Sequence, residues 1–433
     1  MSSLALRFTG RLSSLDEGSR LRLFNRSVST DALVVATVRA IIDRVRREGD
    51  TALFDLAREL DGVVLERLEI PKDVVQASLS AMPPELKTAM LRSARNIEAV
   101  HAASRPVEIS VDVEAGVIVS RRPDPLARVG VYAPGGTAAY ASSVLMAAVP
   151  ARVAGVGEVI LCSPPSPSGL PAPEILAAAA IAGVERVFTL GGAGAIAAMA
   201  LGTETVPRVD KVVGPGNAFV AEAKLQLVSE VAIDCPAGPS ELVIIADDSA
   251  TPEVIAREVM AQAEHDVRAV VLVFAIGESV ATNVGAAIEC ALASQPRQET
   301  VREALRNRGG ILVVDTEDEA VRASNDFAPE HLLIATRDPE RIATSVRATG
   351  AMFIGETASV AFGDYMTGAN HVLPTGGMGR AYSGLSTLDF IRWTTKQVVS
   401  REAAASLSAD TARFAEAEGL PAHAFAAQCW GEA

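Results

Sequence analysis

From about residue 127 the chain falls into a rhythm that few folds accommodate: short β-branched and aliphatic runs alternate with stretches of helical spacing. The runs Val129–Tyr132, Val159–Cys162, Val187–Leu190 and Lys211–Val213 are separated by Glu174–Ala182, Ala195–Leu201 and Ala218–Val228. A second series comprises Leu242–Ala246, Val270–Phe274, Ile311–Val314, Leu332–Ala335 and Met352–Ile354, with Pro252–Ala263, Ser279–Ala293 and Glu317–Asp326 between its members. Strand–helix–strand alternation predicts mostly parallel sheets covered on both faces. Two Rossmann-like α/β domains are expected, a first over 125–239 and a second over 240–385. No residue-level repeat marks them as copies, although two like series are what a duplication leaves.

The flanks read differently. Residues 1–30 form an irregular or partly helical arm. Residues 31–124 are mainly helical: Leu33–Arg47 carries apolar residues at helical spacing and stops at Gly49, and Pro83-Pro84 opens a helix running to about Ala103. Val107, Ile109, Val111 and Val113 alternate as in extended structure. This segment is expected to dock on the second α/β domain. Residues 386–433 lack a strand signal and are expected to be an all-helical tail.

Composition narrows the partners. With 53 acidic and 39 basic residues the net charge is −14, and no basic stripe is interleaved with aromatics, so nucleic acid is excluded as a partner. The longest apolar stretch, Ile175–Val184, is far short of the ~18–20 residues that cross a bilayer, and the first residues lack a secretory core. No membrane role is expected. Cys162, Cys235, Cys290 and Cys429 lie far apart without a CxxC pair. They read as reduced thiols of a cytoplasmic protein, with neither a disulfide framework nor a thiolate metal site.

There are only five histidines, so each neighbourhood can be weighed singly. His101 sits among apolar neighbours on a helix and reads as structural. Gln262 and His265 are three apart near a helix end, so both project from one face as a metal pair needs; a solvated helix end fits equally. Glu330-His331 places a carboxylate beside an imidazole at a strand edge, the pairing that moves protons and activates water, or else a cap beside a surface histidine. Gly363–Thr375 is a polar loop after a strand, containing Asp364, a hard metal ligand or an ordinary turn residue, and His371. Glu418-Gly-Leu-Pro-Ala-His423 reads on its own as a helix stop. Tyr132-Ala-Pro-Gly-Gly-Thr137 follows a strand and brings backbone amides within reach of a phosphate, or is a plain Pro-Gly turn. Gly192-Ala-Gly194-Ala-Ile-Ala197 fits GxGxxA weakly, since the acidic residue due about 20 positions on, Asp210, begins a strand.

Taken in order, Arg128-Val-Gly-Val-Tyr132-Ala-Pro-Gly-Gly-Thr137, Gly202-Thr-Glu-Thr-Val-Pro207, Gly214-Pro-Gly-Asn217, Pro236-Ala-Gly-Pro-Ser240-Glu241, Gln262-Ala-Glu-His265, Pro329-Glu330-His331 and Asn370-His371-Val-Leu-Pro-Thr375 resemble the histidinol dehydrogenase family, from about residue 35 to the end. The resemblance implies a zinc-dependent, NAD-linked, four-electron oxidation of L-histidinol to L-histidine through the aldehyde. It implies zinc ligands at Gln262, His265, Asp364 and His423, and an acid–base pair at Glu330 and His331. Substrate contacts are implied at Ser240, Glu418 and His331 besides the zinc ligands, and NAD contacts at Tyr132 and Asn217. The family has Gln, a further NAD contact, where this chain has Gly194. The resemblance also implies a homodimer in which the tail crosses over, so that Glu418 and His423 complete the partner's site.

Other readings remain open at this point. A paralogue could oxidise another small alcohol, such as a sulfonated diol. A zinc hydrolase would use Glu330 to activate metal-bound water. A nucleotide-binding protein would turn nothing over. An aldehyde-dehydrogenase-style thiolate is disfavoured, because neither Cys162 nor Cys235 has a histidine beside it in sequence.

Overall fold

A computed structural model describes residues 5–26, 31–135, 139–236 and 238–431. The chain opens on β1 (Phe8–Arg11) and α1 (Glu17–Phe24), followed by α2 (Ala32–Glu48), α3 (Asp50–Leu56), the short β2 (Glu69–Ile70), α4 (Lys72–Ala81) and α5 (Pro84–Ala103). A hairpin of β3 (Ile109–Glu114) and β4 (Val117–Pro125) leads into β5 (Arg128–Tyr132), α6 (Ala141–Ala154), β6 (Glu158–Ser163), α7 (Pro173–Ala182), β7 (Arg186–Thr189), α8 (Gly192–Leu201), β8 (Lys211–Val213), α9 (Ala218–Gln226) and β9 (Ala232–Ile233). The second series runs β10 (Glu241–Ala246), α10 (Pro252–Ala263), β11 (Val270–Ile276), α11 (Glu278–Leu292), α12 (Gln298–Arg308), β12 (Gly309–Val314), α13 (Glu317–Phe327), β13 (His331–Ala335), α14 (Pro339–Ala343), β14 (Ala351–Ile354) and α15 (Val360–Tyr365). It closes on β15 (Ile391–Val399), α16 (Arg401–Ala417) and α17 (Pro421–Gln428).

Both series make parallel sheets of one topology. The first has the order β2-β7-β6-β5-β8-β9 and the second β1-β12-β11-β10-β13-β14. Counted from its own first strand (β5 or β10), each runs 3-2-1-4-5, and each gains one edge strand from the N-terminal region. Every pairing among these strands is parallel except β2 with β7. The central strands are buried from end to end, as in Glu241-Leu-Val-Ile-Ile-Ala246, which is why they read as continuous apolar runs and not as alternation.

Three expectations need correcting. The early helices pack on the first sheet and not on the second: α2 lies on α8 and α9, α4 on α7, and α5 on α6. Val38, Ile42 and Leu53 share a core with Ile196 and Met199, and Met90 and Ile97 share one with Leu145 and Val149. The reason lies in α6, α7 and α8, which are apolar on nearly all sides and must be covered twice. The tail is not all helical either. Residues 391–399 form β15, antiparallel to β4 and completing a three-stranded sheet with β3; Trp393, Thr394, Thr395, Val398 and Val399 are strand formers. The arm contributes β1, which extends the second sheet beside β12, besides its helix α1. Residues 27–30 of that arm, and 136–138 of the Pro-Gly turn, lie outside the described residues.

His101 is structural, as its neighbours implied. It is 4% exposed in the last turn of α5, its carbonyl accepts from Thr387 Oγ1 at 2.9 Å, and its Nε2 is buried without a partner. Burial lowers its pKa from the usual 6.5, so the fold holds it neutral while the unfolded chain takes up a proton below about 6.5. Its contribution to stability is therefore present above that pH and lost as pH falls toward the depressed folded value. Tm of the wild type should drop more steeply between about pH 7.5 and about pH 5 than that of His101→Phe; parallel curves would contradict the assignment.

Candidate active site

The first sheet ends close to where the second begins. Residues 234–240 connect the end of β9 to the start of β10, so the carboxyl end of one sheet's last strand lies a few residues from the amino end of the other's first. The loop 370–376 fastens the two domains together. Asn370 Nδ2 donates to Met146 O of α6 at 2.6 Å, Ser143 Oγ lies 3.2 Å from His371 Nε2, and Gly376 N donates to Glu241 Oε1 at 3.0 Å.

Glu330 and His331 sit at this meeting, at the amino end of β13 beside the amino end of β10. Parallel pairing sets Leu242 opposite His331, which places the Glu241 main chain between the two side chains. Its N–H donates to Glu330 Oε2 at 2.7 Å, and its carbonyl lies 3.1 Å from His331 Nδ1. A carbonyl only accepts, so Nδ1 carries the proton and Nε2 keeps the lone pair. Glu330 Oε2 is also 3.6 Å from Nδ1. The two residues are each 5% exposed. Burial pushes the Glu330 carboxyl well above its usual value, helped by the charges of Glu241 and Asp364. It pulls His331 down to about 4. The pair is thus poised as a readily protonated carboxyl beside a neutral imidazole whose Nε2 is buried and unpartnered.

That Nε2 faces Asp364, whose Oδ1 is 3.8 Å away. Asp364 lies in the last turn of α15 and not in a loop. Burial, with Glu258 nearby, pushes it up to about 7. His371, which the sequence flagged only as part of a polar loop, backs it: Nδ1 donates to the Asp364 carbonyl at 3.0 Å, and burial brings its own pKa to about 4. Gln262, in the last turn of α10, is 3% exposed with Nε2 unpartnered. His265 follows just beyond that helix, close enough that its charge disfavours protonation of both His331 and His371. α10 packs against α15, and Glu258 Oε2 accepts the Val360 N–H at 3.0 Å.

Of the residues singled out from sequence, the fold gathers Glu330, His331, Gln262, His265 and Asp364, with Ser240 immediately before Glu241. Tyr132 ends β5 and Asn217 caps α9 just beyond β8, at the carboxyl edge where the first sheet's strand order reverses. Tyr132 is buried, and its hydroxyl accepts the Gly192 N–H at 3.1 Å. Gly194 is buried in the first turn of α8, where an added Cβ would meet Leu56 Cδ1 at 3.1 Å. Asp210 binds the Ala127 and Arg128 amides and is structural. Glu418 and His423 do not join the cluster within this chain. α16 and α17 pack on one another, His423 is exposed, and among the described residues no group of three His, Cys, Asp or Glu side chains could hold a metal ion.

A two-sheet α/β enzyme, with a buried carboxylate–imidazole pair where the sheets meet, is the class that fold and site define. The sequence model of histidinol dehydrogenase matches residues 24–429. Histidinol dehydrogenase of Methanosarcina mazei is 43% identical over 96% of this chain and 95% of its own. That of Xylella fastidiosa is 45% identical over 95% and 96%. A crystal structure of histidinol dehydrogenase from Elizabethkingia anophelis superposes with a TM-score of 0.93 at 33% identity, over 98% of each chain. The chain belongs to the histidinol dehydrogenase family and is an oxidoreductase. No helix among the described residues is long and apolar enough to cross a membrane.

Sequence reasoning missed the support beneath the pair. The Glu241 side chain is buried and ion-paired with Arg26 of the arm, whose guanidinium also donates to Phe327 O and stacks 3.3 Å from the Phe327 ring centroid. Arg26→Met would strand a buried carboxylate on the residue that holds both Glu330 and His331. A loss of about 3–5 kcal/mol in denaturant unfolding is expected, with turnover falling further than the unfolded fraction explains. Unchanged stability would show that Glu241 is neutral or otherwise compensated.

Proposed function

We propose that this chain oxidises L-histidinol to L-histidine through the aldehyde, with two NAD⁺ as hydride acceptors and one bound Zn²⁺, as a cytoplasmic homodimer. The observation that carries the reading is the Glu330–His331 pair, held by the main chain of one residue and opening through an unpartnered Nε2 toward Asp364. By donor type these residues would suit a zinc ion: an amide oxygen from Gln262, whose buried Nε2 has no partner, an imidazole from His265 and a carboxylate from Asp364, whose charge burial disfavours and a cation would restore. Zinc bound there, with His423 of the partner subunit as fourth ligand, would supply positions for the nitrogens of the substrate.

The chain's own residues then divide the proton work. In the first half-reaction His331 Nε2 takes the hydroxyl proton as hydride leaves the carbinol carbon, giving aldehyde, NADH and a proton. In the second, water adds to the aldehyde and the hydrate gives up hydride, yielding carboxylate, a second NADH and two protons. Glu330 removes the proton from that water; burial makes its carboxylate a stronger base than an exposed one. Ser240, and Glu418 of the partner subunit, would contact the substrate, and Tyr132 and Asn217 the cofactor. Gly194 offers only its main chain where the family's Gln would reach NAD.

NADH absorbance on mixing protein, NAD⁺ and histidinol tests the reading against other small alcohols, esters and amides. Activity with histidinol should vanish on chelation and return with Zn²⁺. Glu330→Gln should slow the aldehyde-to-acid half by about 10²–10⁴-fold while sparing the alcohol half more. Turnover of a different alcohol in preference, or equal slowing of both halves, would overturn the substrate or the role of Glu330.

The crossing tail is supported by what it leaves bare. Phe414, Phe425 and Trp430 on the terminal segment are 71%, 78% and 46% exposed, and β3 shows Ile109, Val111 and Val113 at 53%, 54% and 56%; a second subunit would cover such surface. His331→Ala and His423→Ala should each be inactive alone. Co-refolding them should restore about a quarter of the sites, since about half the dimers are mixed and each mixed dimer has one intact site. A mixture as inactive as its parents, with mixed dimers present, would place His423 in its own chain's site.

A further inference from the structure

Lys224 of α9 and Asp234, just beyond β9, form a buried ion pair with side chains 6% and 5% exposed. Lys224 uses all three ammonium protons: Nζ lies 2.6 Å from Gly214 O, 2.7 Å from Asp234 Oδ1 and 3.0 Å from Asp234 Oδ2. Asp234 Oδ2 also accepts the Gly214 N–H at 2.8 Å. One ion pair therefore takes both main-chain polar groups of Gly214. That residue has φ +113°, and an added Cβ would lie 2.1 Å from the Tyr132 carbonyl oxygen. Gly214 is thus fixed in conformation and pressed against the end of β5.

The placement gives this a purpose. Gly214 leaves β8 and opens the turn to Asn217, whose Oδ1 caps α9 by accepting from Phe219 N at 3.0 Å and Val220 N at 3.2 Å. Asp234 starts the connector that ends in Ser240 and Glu241. A buried ion pair is seldom retained for stability, because apolar residues of similar volume serve a core at least as well. What it does supply is directionality: three protons and two oxygens fix one arrangement of the loop.

We propose that Lys224 and Asp234 are positioning residues for the dinucleotide. Acting through Gly214, they hold the 214–217 loop against Tyr132 in the conformation that receives NAD⁺, so that its ordering is complete before the cofactor arrives. The proposal rests on the NAD⁺ reading above and adds to it how this chain preorganises that site.

Titration of NAD⁺ into wild type, Asp234→Asn, Lys224→Met and the pair Lys224→Met/Asp234→Leu tests it, alongside Tm and steady-state kinetics with histidinol. The single variants should lose stability and bind NAD⁺ about 10–100-fold more weakly, the loss of a charge-assisted hydrogen bond. The double variant should regain Tm, because no charge is left buried alone, yet keep the weakened Kd and a raised KM for NAD⁺, with the loss falling on KM and not on kcat. A purely structural pair would recover both. A double variant binding NAD⁺ as tightly as wild type overturns the inference. Should that variant not fold, Asp234→Asn decides: folded protein with unchanged Kd overturns it too. Wild type that does not bind NAD⁺ at all overturns the cofactor reading itself, a result distinct from either.

Discussion

The main chain of one residue governs the centre of this molecule: Glu241 at the amino end of β10, lying beside Glu330 and His331 at the amino end of β13. Its N–H holds the carboxylate and its carbonyl holds the imidazole. The bond to Nδ1 settles which ring nitrogen is free to accept a proton. Parallel register delivers this arrangement, since Leu242 aligns with His331 along the five paired residues from Leu242 to Ala246. The apolar runs that stabilise the second sheet thereby also fix the geometry of the reacting groups, and the pair needs no flexible loop to bring it together.

Burial gives those groups their chemistry. A carboxyl pushed up, an imidazole pulled down to about 4 and a second carboxyl raised to about 7 are three departures with one cause, the loss of water around charge. They also work together. Asp364 disfavours the charging of Glu330, and Glu258 that of Asp364, so a cation beside Asp364 would relieve both carboxyls of the site. Positive charge brought by a metal would therefore lower the proton affinity of Asp364 and make Glu330 easier to ionise, linking occupancy of the site to the basicity of its neighbour.

How much of this was legible in the sequence varied with the range of the interaction. The second sheet's strands, the two α/β series and the pairing of Glu330 with His331 are local patterns, visible as apolar runs and adjacent letters. The docking of α2–α5 was missed because it depends on reading the Ala-rich helices α6–α8 as apolar all round, a property of the covering layer and not of the helices that supply it. β15 was missed because its partner β4 lies more than 250 residues away, and pairing makes a strand of what reads as a helical approach. The Arg26–Glu241 and Lys224–Asp234 pairs join side chains far apart in sequence or across a turn, and no periodicity announces them.

The most consequential feature of the tertiary arrangement is which edges meet. Open α/β sheets take ligands beyond the carboxyl ends of their strands, and Tyr132 and Asn217 lie at that edge of the first sheet. The second sheet differs: its Glu330–His331 pair lies at the amino ends. The carboxyl edge of the first sheet is therefore joined to the amino edge of the second, where the buried Glu330–His331 pair lies. The short 234–240 connector enforces this, because a chain leaving β9 at a carboxyl edge has only a few residues in which to enter β10 at its amino edge. With the 370–376 loop bonded to both α6 and Glu241, the spacing of the two edges is set by covalent length on one side and by hydrogen bonds on the other. Motion that separated the domains would have to break the loop's bonds to α6, Asn370–Met146 and Ser143–His371, or its bond to Glu241. The relative orientation of the two edges is thus set by packing already present before any substrate binds.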